Sequence, residues 1–147
     1  MPTLTSNKYA YFNYQVLDEY EAGIILSGSE VKSVKTGQIN LKGSYATLQD
    51  NELWLVNAHI SPYPLSSSQQ DYQPDQKRKL LLHKKELSSL IGKLKAKGLT
   101  LMPLSVYTKG SLIKIKIGVC RGKKDHDKRE IIKKRESDIN IRRLLKN

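Results

Sequence analysis

Cysteine, tryptophan and phenylalanine each occur only once in these 147 residues. The single cysteine, Cys120, excludes an internal disulfide and fits a reducing compartment. No apolar run reaches the 18 residues of a membrane-spanning helix, and residues 1–8 contain no apolar stretch like that of a signal peptide. We therefore expect a cytoplasmic protein with no membrane partner.

Catalytic and metal-binding motifs are also missing. The residue types that bind zinc are too far apart in sequence for a metal site: His59, His83, Cys120 and His126. Residues 118–124 resemble a phosphate-binding loop, but they are one residue short and lack its Ser or Thr. Asp125 and Asp127 stand among lysines, which favours salt bridges over a catalytic pair. We expect no metal, no cofactor and no catalytic residue, and therefore no enzyme.

Positive charge, in contrast, is abundant. The chain has 26 Lys and Arg against 14 Asp and Glu, a net charge of +12, which predicts a polyanionic partner. Half of this excess lies in residues 121–147, the basic tail, which has 11 Lys and Arg against 5 Asp and Glu. A helix on a membrane surface would need a broad apolar face with aromatic residues. The basic tail has no aromatic residue, so nucleic acid is the favoured partner.

The basic tail has too few apolar side chains to offset the entropy lost on folding, so we expect it to be disordered when free. Its apolar residues nevertheless fall near one side of a helix: Ile132, Ile139 or Ile141, Leu144 and Leu145. A helix of the whole tail would be about 40 Å long, which suits a phosphate-lined groove or channel. The alternative is a solvated charge run that only aids solubility.

Residues 1–120 show the alternating pattern of a mainly β domain. Apolar residues at even positions predict a long strand that bends near Gly23. The elements predicted for the first half are a loose segment over 1–8, a strand over 12–26, a helix over 30–35 capped by Ser29, and a hairpin over 44–49 and 52–60. The apolar face of that hairpin is predicted to carry Trp54, Val56, Ala58 and Ile60.

The second half is predicted to add a strand, a helix and another hairpin. The elements are a flexible loop over 61–76, a buried strand over 80–82, a helix over 84–97, and strands over 99–107 and 112–119. Together these elements predict a small closed antiparallel barrel of the oligonucleotide-binding type, with two or three short helices. Two basic sets on its strands, residues 77–79 and the pair Lys114 and Lys116, join the basic tail as positive surfaces. This distribution favours a protein that bridges RNA surfaces.

Several motifs resemble one known family closely. They include residues 7–8 (NK), 21–23 (EAG), 57–62 (NAHISP), 78–82 (RKLLL) and 122–124 with 127–129 (GKK and DKR). In these motifs the chain resembles the SmpB family, the SsrA-binding proteins that work with transfer-messenger RNA in trans-translation. The resemblance implies a monomeric, barrel-shaped adaptor that binds the tRNA-like domain of that RNA and delivers it to stalled ribosomes.

The resemblance also implies roles for particular residues. The RNA-binding positions carried over from the family are Asn7, Lys8, Glu21, Arg78, Lys79 and Leu81. The basic tail would enter the ribosome as a helix in the empty message channel. Its decoding-centre segment would comprise Gly122, Lys123, Lys124, His126, Asp127, Lys128 and Arg129, with Leu144 and Leu145 as the apolar pair near its end.

The chain departs from the family pattern at two places. Tyr11 and Phe12 stand where the family usually has Arg and His, and Ser137 stands where some relatives have an aromatic residue. Tyr11 and Phe12 are candidates for stacking on unpaired bases or for packing on the barrel.

Two other functions are considered beside the one that the resemblance implies. One is a ribosomal or initiation-factor-like barrel that binds ribosomal RNA alone, and the other is an RNA-processing hydrolase.

Overall fold

The computed structural model describes residues 3–64, 71–123, 132–133 and 135–136. Within these residues there are nine strands and three helices. In chain order they are β1 (Thr3–Ser6), α1 (Lys8–Asn13), β2 (Tyr14–Ile24), α2 (Gly28–Lys35), β3 (Ile39–Asn40), β4 (Tyr45–Gln49), β5 (Glu52–Val56), β6 (His59–Ile60), β7 (Arg78–Leu81), α3 (Lys84–Lys93), β8 (Leu99–Lys109) and β9 (Leu112–Gly122).

Six strands are joined into a ring by antiparallel hydrogen bonding. The order of neighbours is β8, β4, β5, β7, β2 and β9, and β9 pairs again with β8. Strand β1 adds to the other edge of β8, while β3 and β6 form a separate two-stranded sheet. The predicted class, mainly β and antiparallel with two or three short helices, is confirmed. The ring is closed by short contacts at two places: β2 pairs with β7 only at Gly23 and Ile24, and β4 pairs with β8 only at Ala46.

The main core fills the inside of this ring. Alternate residues of β9 point inward, and Ile115, Ile117 and Val119 are almost completely buried. From Asp18 onward the even-numbered residues of β2 also point inward, with Tyr20 and Ala22 buried, whereas Tyr14 and Val16 lie before the register shift and pack against a second apolar cluster under α1. Leucines on one side of α3 pack against the same core. The period of two therefore predicts the buried face correctly for these residues of β9 and for the part of β2 that follows the register shift.

The N-terminal segment differs from the prediction. Residues 3–6 are not loose, because their backbone pairs with Ser105–Tyr107 at the edge of β8, which needs no apolar side chains. Residues 8–13 form a helix and not the start of a strand. The side chain of Asn7 begins this helix by accepting a hydrogen bond from the Ala10 backbone N–H at 3.2 Å. A six-residue helix is too short for its period to show in the sequence.

The first hairpin forms between β4 and β5, but its second strand ends at Val56 and not at residue 60, and within β5 the buried face is opposite to the predicted one. Leu53 and Leu55 are buried, whereas Trp54 is only partly buried. Asn57 has a φ of +62°, and this left-handed residue interrupts the alternation. Ala58 after it is buried, although it shares the parity of Trp54. A single non-extended residue is enough to reverse which parity faces the core.

The two predicted helices have different ends in the structure. Ser27, and not Ser29, caps α2: its hydroxyl accepts from the Glu30 N–H, and the Glu30 carboxylate accepts from the Ser27 N–H. Helix α3 ends at Lys93, four residues earlier than predicted.

The predicted bend of the first long strand is also displaced. The irregularity of β2 lies between Val16 and Asp18, not near Gly23, where the pairing with β9 is regular.

Candidate nucleic-acid interface

A shallow groove, which we call the β2 trough, follows the outer faces of β2, β9 and β7. Glu21 and Gly23 of β2 lie opposite Lys116 and Lys114 of β9, and Gly23 also lies opposite Leu81 of β7. Residues paired in this way point to the same side of the sheet. Two of the predicted RNA-binding residues, Glu21 and Leu81, are therefore brought together across 60 positions of sequence.

Three adjacent depressions make up the β2 trough. The first, which we call the Glu21 recess, has a volume of about 390 Å³ and is lined by Thr3, Glu19, Tyr20, Glu21, Ser105, Tyr107 and Lys116. The second shares Glu21, and the third shares Gly23, Leu81 and Lys114 with the second. A Cβ on Gly23 would lie 3.5 Å from the Leu81 Cβ. The lack of a side chain at Gly23 thus keeps the trough open between Glu21 and Leu81.

Glu21 is held by two donors from β8. The Tyr107 hydroxyl donates to Oε2 at 2.5 Å, and the Lys109 ammonium donates to Oε1 at 3.1 Å. The hydrogen bond from Tyr107 and then that from Lys109 lower the pKa of Glu21 below its usual value. Burial and the hydrogen bond to Glu21 raise the pKa of Tyr107. The carboxylate is therefore ionised at neutral pH, an acceptor of hydrogen bonds inside a basic surface.

Apolar side chains border the same trough. Leu81 is 49% exposed, and Leu112 is more exposed still. Leu112 and Leu81 line the third depression with Lys114. An apolar edge beside lysines and a carboxylate can contact sugars and base faces while the polar groups bind donors and phosphates. This mixture fits folded RNA better than a purely basic surface would.

Asn7 and Lys8 are not among the residues that line the β2 trough. Asn7 is 3% exposed, and its Nδ2 donates to the Pro103 carbonyl at 2.8 Å while its Oδ1 caps α1. Lys8 is exposed in the first turn of α1. The structure thus gives Asn7 a role in holding α1 against β8, and its predicted contact with RNA stays a prediction.

Arg78 lies inside the protein. Its side chain is 2% exposed, its Nε donates to Oε2 of the buried Glu30 at 2.7 Å, and its Nη2 lies 2.6 Å from the same oxygen. The other N–H groups donate to the carbonyls of Ala58, Pro74 and Gln76 and to the hydroxyl of Tyr72. Burial raises the pKa of Glu30, but the Ser27 N–H and Arg78 outweigh it and the pKa is lowered. All five donors of Arg78 have partners, so none is directed at RNA.

Lys79, next to Arg78, is on the outer face of β7. Its ammonium lies 3.3 Å from the Glu52 carboxylate, and its neighbour across the strands is Trp54. Lys77 places its ammonium 4.3 Å from the centre of the Trp54 ring. The predicted basic set over 77–79 is therefore divided by strand alternation: two lysines lie outside, and the arginine between them lies in the interior.

The start of the basic tail is attached to the folded domain. Strand β9 extends to Gly122, and the Lys123 N–H donates to the Asn13 carbonyl at 2.8 Å. The Lys123 ammonium donates to the Tyr11 carbonyl at 2.9 Å. Arg135 lies 5.7 Å from the centre of the Phe12 ring. The other predicted tail residues lie outside the described part of the chain: Lys124, His126, Asp127, Lys128, Arg129, Leu144 and Leu145.

Tyr107, Lys109 and Ser105 were not predicted as site residues. Simple alternation along β8 places Tyr107 on the same face as Leu101, in the core. The register of β8 against β9 shifts between Pro103 and Ser105, and this shift moves Tyr107 to the outer face. The one local signal is the residue type, because a tyrosine in a strand usually needs a partner for its hydroxyl.

No cluster of three or more His, Cys, Asp or Glu suited to a metal ion occurs in the part of the chain that the structure describes. Cys120 is completely buried, and burial raises the pKa of its thiol to about 11. That thiol packs beside Ala10, Met102 and Leu104 under α1. Among the described residues, no helix is both long and apolar enough to cross a membrane.

Comparison with known proteins agrees with the motifs. The family described as SmpB protein matches residues 4–147. The chain is 50% identical over 143 residues to the SsrA-binding protein of Gloeothece citriformis, covering 97% of this chain and 92% of that protein. It is 48% identical over 144 residues to the SsrA-binding protein of Trichormus variabilis, covering 98% of this chain and 93% of that protein.

A solved structure is also similar. It is described as "tmRNA-SmpB: a journey to the center of the bacterial ribosome", and the match has a TM-score of 0.68 and 45% sequence identity over 85% of this chain and 87% of that chain. Because one family covers nearly the whole sequence and its relatives are about half identical to it, the chain belongs to the SmpB family of SsrA-binding proteins.

Proposed function

We propose that this chain is an RNA-binding adaptor without enzymatic activity. It binds the tRNA-like domain of transfer-messenger RNA, also called SsrA RNA, and delivers it to stalled ribosomes in the cytoplasm for trans-translation. The similar proteins are SsrA-binding proteins, and the similar solved structure concerns transfer-messenger RNA, SmpB and the bacterial ribosome. The observation that carries the proposal for this chain is the β2 trough, in which an ionised carboxylate lies among lysines and exposed apolar side chains.

Each part of the β2 trough has a separate task in this proposal. Lys114 and Lys116 attract the phosphates, and Leu81 packs against a sugar or base. Glu21 accepts hydrogen bonds from RNA donors, such as base amino groups or the 2′-hydroxyl that distinguishes RNA from DNA. A carboxylate repels phosphate, so it favours RNA whose donors, and not its backbone, face the strand. Lysines alone would bind any polyanion.

The basic tail has a second task. In our proposal it enters the empty message channel as a helix, and a channel filled with intact message leaves it no room. Its net charge of +6 and the helical backbone of the four described residues Ile132, Lys133, Arg135 and Glu136 support this proposal. Gly122 pairs with Tyr14 of β2, and Lys123 donates to the carbonyls of Asn13 and Tyr11 in α1, so in our proposal the part of the tail that enters the ribosome begins after residue 123.

RNA that co-purifies with the chain tests the first task. We expect a tagged chain, expressed in bacteria and sequenced with its bound RNA, to enrich one small RNA with a tRNA-like domain far above ribosomal RNA. Enrichment of ribosomal RNA alone would contradict the proposal and favour a ribosomal barrel protein. Size-exclusion chromatography with light scattering checks that one copy of the chain binds each RNA.

Shortening the chain tests the second task. A variant that ends at Lys123 keeps every strand and the anchoring contacts, so we expect it to bind the small RNA normally but to lose the tagging of polypeptides on stalled ribosomes. A matched control carries residues 124–147 in scrambled order, with the same charge. If the scrambled variant tags normally, the tail acts only through its charge; equal loss of RNA binding and tagging would contradict the division of tasks.

A further inference from the structure

The Glu21 recess contains carboxylates and hydroxyls as well as a lysine, and a site for phosphate alone would not need the carboxylates. Glu21 lines one side of it and Thr3 and Ser105 another; Lys116 is paired in register with both Glu21 and Ser105, and its ammonium lies 3.5 Å from the Glu19 carboxylate. Tyr107 reaches from β8 past the intervening strand β9 to meet Glu21 on β2. Tyr107 is 7% exposed, so packing around the residue holds its hydroxyl in place. The recess is therefore built to hold one carboxylate in one orientation.

The hydrogen bonds of Glu21 leave room for a ligand. An ionised carboxylate has about four acceptor positions, two on each oxygen. Tyr107 occupies one position on Oε2, and Lys109 occupies one on Oε1. One position remains on each oxygen, and the Glu21 side chain is 35% exposed. The remaining positions suit a partner that presents two neighbouring donors.

Among the four RNA bases, guanine alone presents two neighbouring donors, N1–H and the 2-amino group, on its Watson–Crick edge. Adenine and cytosine place one amino group beside an acceptor, and uracil places its N–H between two carbonyls. An acceptor next to a carboxylate is repelled. Because sequence-specific proteins read unpaired bases on this edge, the recess distinguishes guanine from the other three.

We propose that the Glu21 recess holds one unpaired guanine, that Glu21 accepts hydrogen bonds from its Watson–Crick edge, and that Tyr107 is a positioning residue for Glu21. The assignment of this guanine to transfer-messenger RNA rests on the function proposed above. The charged and titratable groups that face Glu21 or share its depressions are Glu19, Tyr20, His83, Glu86, Tyr107, Lys109, Lys114 and Lys116.

Carboxyl ¹³C NMR of the free protein tests the positioning role. Tyr107→Phe keeps the ring but removes the hydroxyl, so we expect the pKa of Glu21 to rise. Tyr45→Phe, the same change on the exposed outer face of β4, is the matched control and should leave the pKa of Glu21 unchanged. An unchanged pKa in the Tyr107→Phe protein, with the fold intact by its amide spectrum, would overturn the positioning role.

Nucleotide titration of the full chain tests the ligand. At pH 7 we expect guanosine monophosphate to bind about tenfold more tightly than inosine monophosphate, which lacks the 2-amino group, and than the adenosine, cytidine and uridine monophosphates. Tyr107→Phe should weaken guanosine monophosphate binding, and the loss of binding at acid pH should begin at higher pH than in the wild type. Equal affinity for all five nucleotides would overturn the proposal.

The two proposals fail in different ways. If the free chain prefers guanosine monophosphate but enriches no tRNA-like RNA from cells, the proposed function is wrong and the recess remains a guanine site. If the chain enriches that RNA but shows no preference among the nucleotides, the guanine site is wrong and the adaptor function stands.

Discussion

The protein contains two hydrogen-bonded networks, each made of a tyrosine, a basic residue and a glutamate, and one lies at the surface while the other is buried. In the surface network, Tyr107 and Lys109 donate to Glu21; in the buried network, Tyr72 and Arg78 donate to Glu30. The side chain of Glu21 is 35% exposed, whereas that of Glu30 is 4% exposed. Both carboxylates have a lowered pKa. Residue type and ionisation alone therefore do not tell which network binds a ligand.

The difference lies in unused hydrogen-bonding capacity. The buried network is complete: Arg78 has a partner for each donor, and Glu30 also accepts from Ser27 and Gln76. Such a network connects α2, β7 and the segment before β7, and an unpaired group there would be costly. The surface network leaves acceptor positions on Glu21 toward solvent. A ligand can use only what the fold has left unpaired.

The largest expected effect comes from breaking the buried network. Arg78→Met leaves the Glu30 carboxylate buried without its cation, which should lower the free energy of unfolding by about 3–5 kcal/mol. Urea denaturation measures this, with Lys79→Met as a control on the outer face, where the loss should stay below about 1 kcal/mol. Equal losses in the two variants would remove the distinction between the networks. A folded Arg78→Met protein that no longer binds RNA would show that Arg78 contacts RNA after all.

Glu21→Ala should produce the opposite result. Removing the exposed carboxylate should weaken binding of the tRNA-like RNA about tenfold, because charge-assisted hydrogen bonds are lost. The melting temperature should remain close to that of the wild type, since Glu21 contributes little to the core. Binding and melting are measured on the same sample, with Asp71→Ala as an exposed carboxylate outside the β2 trough. An unchanged affinity would mean that the surface network is not an RNA site.

Asn7→Ala is expected to have a smaller effect, and on stability. The variant loses the cap of α1 and the hydrogen bond to Pro103, at a cost of about 1 kcal/mol in the free energy of unfolding. Lys8→Ala, at the next and exposed position, should cost much less. Thermal and urea melts measure both. If Asn7→Ala instead weakens RNA binding while its stability is unchanged, Asn7 is a direct contact, as the family resemblance implies.

The smallest expected effect is on the pH dependence of stability. Glu30 has a lowered pKa in the folded chain, so the unfolded chain binds a proton more readily. Its contribution to stability should be complete above the usual pKa of glutamate and lost as the pH falls through the lowered value. In Glu30→Gln, the free energy of unfolding should therefore decline less between pH 7 and pH 3. Parallel curves for the two proteins would contradict this role of Glu30.

Much of the fold could be predicted because it follows local patterns. Ile115 and Ile117 point into the core and Lys114 and Lys116 point outward, as their alternation indicates. The errors lie where one residue changes the local geometry without a distinctive residue type. Asn57 reverses which alternate residues are buried after β5, and Asn7 begins a helix whose last two residues, 12 and 13, were predicted to start a strand. The strand over residues 3–6 was also missed, because its pairing with β8 depends on backbone hydrogen bonds and not on an alternating apolar pattern.

The candidate site was only partly predictable. The sequence determined by itself the excess of positive charge, the mainly β class and the outward lysines of β9, because each of these depends on composition or on a period of two. Only the tertiary structure decided that Arg78 is internal and that Tyr107 meets Glu21 from 86 positions away. The physical reason is that ring closure and the register shift in β8 set which side chains become neighbours, and neither is recorded in any local stretch of residues.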